Sequence, residues 1–265
     1  MQGASPLLVA QITDTHLLAA SEGALLGVPT TESCATILER VQSLDCQPDL
    51  LLMTGDLSQD ETPASYERLA AKIGVLGIPA YWLPGNHDCW QLMEKILCEP
   101  PISTAKVFQK GGWQFILLDS SVPGQVHGCL SDLSLQWLDD QLQLQPDLPT
   151  LVSLHHPPFK IDSAWIDQSR LKNPEDLFAV LDRYAQVRLV VFGHIHQDFA
   201  RERRGVRYLA SPSTCVQFKP KSRRFCLDDL APGFRLLSLH ADGSVETCVE
   251  RVPLTVRLDL SATGY

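Results

Sequence analysis

Apolar residues fall in short continuous runs at 7–12, 50–53, 80–83, 115–118, 151–154 and 189–192. Runs of this length, apolar at successive rather than alternate positions, predict strands covered on both faces. Helical spacing fills the intervals. Thr62 precedes Pro63 and a run that puts Tyr66, Leu69, Ile73 and Leu76 on one face. Ser131 stands where it can cap a helix carrying Leu135, Leu138 and Leu142, and Asn173-Pro174-Glu175-Asp176 combines an N-cap, a first-turn proline and acidic first-turn residues. Beyond Gly193 the pattern changes to strand-like stretches at 206–209, 214–218, 234–240 and 245–251, joined by turns such as Ala241-Asp242-Gly243. The order predicts the α/β class, a layered core closed by a second, more antiparallel sheet. One domain is expected over residues 1–252, and residues 253–265 read either as a tail or as an extra strand.

Composition narrows the function classes. The chain has 265 residues, 45% of them hydrophobic and 20% charged, which suits a globular protein with a self-sufficient core. Its 22 basic and 31 acidic residues leave a net charge of −9, which argues against a partner bound through many phosphates of a polynucleotide. Residues 1–10 lack the basic flank and long apolar run of a signal peptide, and no apolar stretch nears the ~20 residues of a membrane span. Eight cysteines are scattered with no Cys-x-x-Cys pair, so reduced, mostly buried thiols and a cytoplasmic location are expected.

Polar residues of ligand type follow the predicted strands. They are Asp14-x-His16, Gly55-Asp56, Gly85-Asn86-His87-Asp88, His155-His156-Pro157-Pro158 and Gly193-His194-x-His196. Each cluster alone reads as a turn or a rigid loop. Five of them in order at strand ends, holding six of the eight histidines, do not, because the carboxyl ends of strands in an open α/β sheet converge on one crevice. Imidazole, carboxylate and amide oxygen without thiolate suit Mn, Fe, Co or Zn. About seven ligands exceed one tetrahedral zinc and fit two metals that share a carboxylate. A division that satisfies both gives Asp14, His16, Asp56 and His196 to one ion, and Asp56, Asn86, His155 and His194 to the other.

The five motifs, from residue 14 to residue 196, resemble the calcineurin-like metallophosphoesterases. The stretches Ser163-Ala164-Trp165-Ile166-Asp167-Gln168, Ser211-Pro212-Ser213-Thr214-Cys215-Val216-Gln217-Phe218-Lys219-Pro220 and Leu230-Ala231-Pro232-Gly233-Phe234-Arg235 are similar to the bacterial class III 3′,5′-cyclic AMP phosphodiesterases, a likeness covering residues 8–252. The resemblance implies an α/β/β/α fold with two packed central sheets flanked by helices. It implies two divalent metals, Fe and/or Mn ahead of Zn or Co, on Asp14, His16, Asp56, Asn86, His155, His194 and His196, with His156 the alternative one place along. It also implies substrate contacts from His16, Asp56, Asn86, His87 and His196. The expected reaction is hydrolysis of 3′,5′-cyclic AMP to 5′-AMP by a hydroxide between the metals, with His87 as general acid and Asp88 orienting it or capping a turn. The partner expected is a small cyclic nucleotide, with no polynucleotide and no membrane.

Three further readings stay in play. Trp165 and Phe159 are either an aromatic lid over a purine or ordinary packing. The tract Lys219, Lys221, Arg223 and Arg224 reads as a solvated loop. A broader phosphodiesterase or phosphatase, acting on 2′,3′-cyclic nucleotides, glycerophosphodiesters or nucleotide phosphates, is the enzymatic alternative. The absence of the arginine that protein phosphatases carry soon after Gly55-Asp56 weighs against that class, and the complete motif set weighs against a non-catalytic scaffold.

Overall fold

The computed structural model describes residues 5–264. The first four residues of the expected domain, and Tyr265 of the expected tail, lie outside the described residues. Two six-stranded sheets form the centre. The first runs in the order Val245–Arg251, Gly233–Leu239, Leu7–Ile12, Leu50–Thr54, Ala80–Leu83 and Ile102–Ser103. The second runs Phe199–Arg203, Val206–Ala210, Val187–Phe192, Thr150–Ser153, Trp113–Leu117 and Val107–Lys110. Leu7, Val9, Leu50 and Leu52 from one sheet meet Phe115, Leu151, Leu189 and Val191 from the other in a buried layer between them. The outer faces are covered by helices, Thr30–Gln42, Pro63–Leu76 and Trp90–Ile96 on the first sheet and Asp132–Leu144 and Pro174–Leu181 on the second. This is the α/β/β/α arrangement. It explains the continuous apolar runs, since every central strand is buried on both faces.

The C-terminal strands depart from expectation. They do not build a separate, more antiparallel sheet. Gly233–Leu239 and Val245–Arg251 extend the first sheet by antiparallel pairing to Leu7–Ile12, while Val206–Ala210 pairs in parallel with Val187–Phe192 in the second. The physical reason is the open edge left by each parallel core, which a returning strand can close. Only Gln217–Phe218 of the stretch 214–218 is a strand, Phe199–Arg203 was not anticipated, and no strand forms in residues 252–264. Leu254, Val256 and Leu258 instead lay apolar side chains on the core beside the second sheet.

Caps follow the sequence at two helices. Thr62 and Ser131 side chains accept the backbone N–H of Ser65 and Ser134. Asn173 stands at the N-cap position, yet its side chain makes no cap bond and ties instead to both backbone groups of Leu130. The eight cysteines form no disulfide, and the expectation of mostly buried thiols is corrected, because only Cys34 and Cys215 are buried. No helix among the described residues is long and apolar enough to cross a membrane.

Candidate active site

Every central strand that precedes a motif ends at the same side of the two-sheet core, and the motif loops meet there. Backbone bonds knit the first two loops together, with the N–H of Asp14 donating to Gly55 O and that of His16 to Asp56 O. Two glycines let the loops close. A Cβ on Gly85 would stand 2.1 Å from Asp56 Oδ1, and one on Gly193 would stand 2.2 Å from Thr13 Oγ1. Asp14, His16, Asp56, His194 and His196 all adopt left-handed backbone, with φ between 46° and 69°. Non-glycine residues avoid that region, so five of them at one site mark a backbone held by its surroundings.

The side chains converge. Asp14 accepts the His194 backbone N–H and lies 3.4 Å from His196 Nε2. His196 Nε2 is 3.2 Å from His16 Nε2, and Asp56 Oδ2 is 3.2 Å from His155 Nε2 and 4.0 Å from His16 Nε2. Four overlapping triads bring ligand atoms within 4.8 Å of one another: Asp14–His16–His196, Asp14–Asp56–His155, His16–Asp56–His87 and His155–His156–His194. Asp14, His16, Asp56, His155 and His196 are wholly buried.

The hydrogen bonds fix which ring nitrogen faces the centre. His155 Nδ1 donates to Thr54 O at 2.8 Å, His196 Nδ1 to Val216 O at 2.8 Å, and His16 Nδ1 to Gln59 Oε1 at 2.6 Å. An oxygen acceptor on Nδ1 puts the lone pair on Nε2, the nitrogen turned to the centre, where it can bind a cation. His194 is turned the other way, with Nε2 on Ser169 Oγ at 2.9 Å. Its Nδ1, with His155 Nε2, Asp56 Oδ2 and Asn86 Oδ1, is buried without a hydrogen-bond partner. Apart from the 3.2 Å approach of His155 Nε2 to Asp56 Oδ2, these buried electron-pair donors meet no partner, an expensive arrangement unless a cation satisfies them. The donor set therefore fits two divalent ions.

His156 differs from its neighbour. Its Nδ1 bonds Ser120 Oγ and its Nε2 bonds Val126 O, so both ring nitrogens are used, whereas His155 turns Nε2 to Asp56 Oδ2 at the centre. Asp88 reaches the backbone N–H groups of Leu57, Ser58 and Gly85 and the Tyr66 hydroxyl, clamping the Gly55-Asp56 loop to the Gly85-Asn86 loop. His87 donates its backbone N–H to Asp56 Oδ1, and its ring stands edge-on to His16 with 5.3 Å between centroids.

Electrostatics follow from burial and pairing. Burial pushes Asp56 up, but His155, His87 and His16 override it and hold the carboxylate well below the usual range. Burial pushes Asp14 up as well, and His196 and His155 bring it below its ordinary value. Burial lowers His155, yet the Asp56 charge raises it to about 9. His16 is brought down to about 3 by burial, and His194 falls well below its ordinary value for the same reason. Asp88 is raised to about 6 by burial and by the Asp56 charge.

Two aromatic expectations separate. Phe159 is buried against Phe178 and Tyr208, and is core packing rather than a lid. Trp165 borders a cavity shared with His87 and His194. Gln59, which turns His16, went unnoticed in the sequence. Its signal was its place three residues beyond Asp56, on the loop facing the first motif.

The calcineurin-like phosphoesterase family model matches residues 7–198. Among curated relatives, a 3′,5′-cyclic-nucleotide phosphodiesterase of Nostoc sp. is 53% identical over 97% of this chain and 97% of that protein. The 3′,5′-cyclic adenosine monophosphate phosphodiesterase CpdA of Escherichia coli is 44% identical over 100% of this chain and 97% of its own length. Among solved structures, a dimetal phosphatase from Danio rerio shares the fold with a TM-score of 0.66 at 13% identity, covering 92% of this chain and 99% of that one.

Proposed function

The chain belongs to the calcineurin-like phosphoesterase family, and on that premise we propose that it hydrolyses 3′,5′-cyclic AMP to 5′-AMP with two divalent metal ions. The observation that carries the reading is the convergence of buried metal-type donor atoms from residues 56, 86, 155 and 194 across both sheets, with Asn86 Oδ1 and His194 Nδ1 meeting no hydrogen-bond partner. The relatives named for cyclic nucleotide hydrolysis, similar over nearly the whole chain, support the substrate.

In this reading Asp14, His16, Asp56 and His196 hold one ion, and Asp56, Asn86, His155 and His194 hold the other, with Asp56 shared. Bound there, the ions stabilise charge on the phosphate oxygens and lower the pKa of water to about 7. The chain's own residues do the rest. His16, Asn86, His87 and His196, with Asp56 behind them, surround the position of the phosphodiester. Water, its proton lost to solvent, adds as hydroxide to phosphorus opposite the ribose 3′-oxygen, the P–O3′ bond breaks, and protonated His87 gives the departing oxygen its proton. A general acid of this kind contributes about 10²–10⁴-fold. Asp88 serves as a positioning residue, holding together the loops that carry Asp56 and His87. Fe and Mn suit the imidazole–carboxylate donor set. We place the enzyme in the cytoplasm, where a reducing pool keeps eight unpaired thiols free.

Elemental analysis of the reconstituted protein, run beside product identification, tests the proposal. Two ions per chain with 5′-AMP as the product are expected. Turnover restricted to 2′,3′-cyclic nucleotides or to monoesters, with 3′,5′-cyclic AMP left intact, would overturn it.

A further inference from the structure

Beside His87 and His194 opens a cavity of about 570 Å³, within the span of about 300–1,000 Å³ typical of small-molecule sites. An aromatic path leads to it from the phosphodiester centre. Phe218 lies flat on His196, with centroids 4.0 Å apart and planes 11° from parallel. Trp165 stands edge-on to Phe218 at 5.0 Å and to Phe225 at 5.1 Å, and Trp165 and Phe225 both line the cavity. The indole Nε1–H of Trp165 meets no hydrogen-bond acceptor.

The basic tract ends here too. Lys219 and Lys221 stay on the solvated loop, but Arg223 and Arg224 line the cavity. The turn that carries them is held against the Trp165 segment, because the N–H of Ala164 donates to Ser222 O and that of Lys219 to Cys226 O. Among the described residues no carboxylate lines this cavity. The cavity on the other side of Asn86, about 450 Å³, is instead bordered by Glu61, Asp88 and Asp119. In a chain of net charge −9, an anionic ligand approaching His87 is drawn to the arginine side and repelled from the other.

We propose that the cavity bounded by Trp165, Phe225, Arg223 and Arg224 is the nucleoside subsite of the phosphodiester centre, with a purine base lying on the Trp165–Phe225 surface and the two guanidinium groups facing it. The proposal rests on the cyclic nucleotide reading of the centre. Base–aromatic contact requires only a π face, and a guanidinium plane adds to it. The base lies on the same side as His87, so that imidazole meets the 3′-oxygen of a ribose whose base is already anchored.

The test compares two substrates that share the reacting ring: 3′,5′-cyclic AMP, and methyl riboside 3,5-cyclic phosphate, which has no base. In Trp165→Ala the ratio of kcat/KM for the first over the second falls by about 5- to 100-fold, the range base stacking supplies. In Arg223→Ala/Arg224→Ala it falls several-fold. Both arginines are exposed, so the double variant keeps the test valid where Trp165→Ala does not fold. A ratio unchanged within about twofold in the folded variants overturns the subsite. Calorimetric titration with adenosine separates this result from a failure of the underlying reading. A wild-type enzyme that hydrolyses neither cyclic phosphate, yet binds adenosine about tenfold more tightly than Trp165→Ala or the double variant, keeps the subsite and removes the reaction. Adenosine binding indifferent to all these residues removes the subsite.

Discussion

The strand ends of the Leu7–Ile12 sheet bring two carboxylates, an amide and two imidazoles to the centre, on Asp14, Asp56, Asn86, His16 and His87. Those of the Thr150–Ser153 sheet bring imidazoles alone, on His155, His194 and His196. The difference is one of charge. The first half concentrates negative charge that burial penalises; the second half supplies neutral donors that need a cation to be useful. They meet at Asp56 Oδ2 and His155 Nε2, 3.2 Å apart. A site split this way assembles only when both sheets are packed.

The largest expected effect comes from removing the shared carboxylate. Asp56→Ala should lose both ions by elemental analysis, and its kcat/KM should fall beyond the about 10²–10⁴-fold expected of His87→Ala. Two retained ions would deny Asp56 its bridging role. Next comes the adjacent pair on the imidazole half. His155→Ala should lose one ion and nearly all activity. His156→Ala should keep its ions and pay about 1–3 kcal/mol in stability, because Ser120 and Val126 lose a buried partner. Equal metal contents in the two variants would break the distinction. Smaller again is Gln59→Leu, which frees the His16 ring to turn. A 10–100-fold drop in metal affinity is expected, with Gln59→Glu restoring most of it, since either side chain offers Nδ1 an acceptor.

The smallest effect is in pH. His155 is raised to about 9 in the folded chain against 6.5 ordinarily. A group with a raised folded pKa stabilises fully below its unfolded value and loses that contribution as pH rises through the folded one. Metal-free wild type should therefore lose thermal stability relative to His155→Gln between pH 6.5 and 9. Parallel melting curves across that window would argue that His155 is not protonated against Asp56.

The first half of the site was the more legible in sequence. Asp14-x-His16, Gly55-Asp56 and Gly85-Asn86-His87-Asp88 each follow an apolar run directly, so strand and ligand could be read together. The second half depended on conformation. Whether residue 155 or 156 faces the centre turns on Ser120 and Val126, remote in sequence. The helices Thr30–Gln42 and Trp90–Ile96 went unread because neither opens on a capping side chain, although Cys34, Ile37, Leu38 and Val41 share one buried face of the first. The C-terminal strands were seen as strands, but their partners were set by which sheet edge stood open, which no local pattern encodes. Arg223 and Arg224 looked like any basic loop until the Ser222 carbonyl tied that loop beside Trp165.

The left-handed turns at residues 14, 16, 56, 194 and 196 carry one more consequence. Glycine would relax the backbone at any of them, yet it would empty a buried site and strip a hydrogen-bond partner from its neighbours, so the chain tolerates the strain because these side chains are held in place.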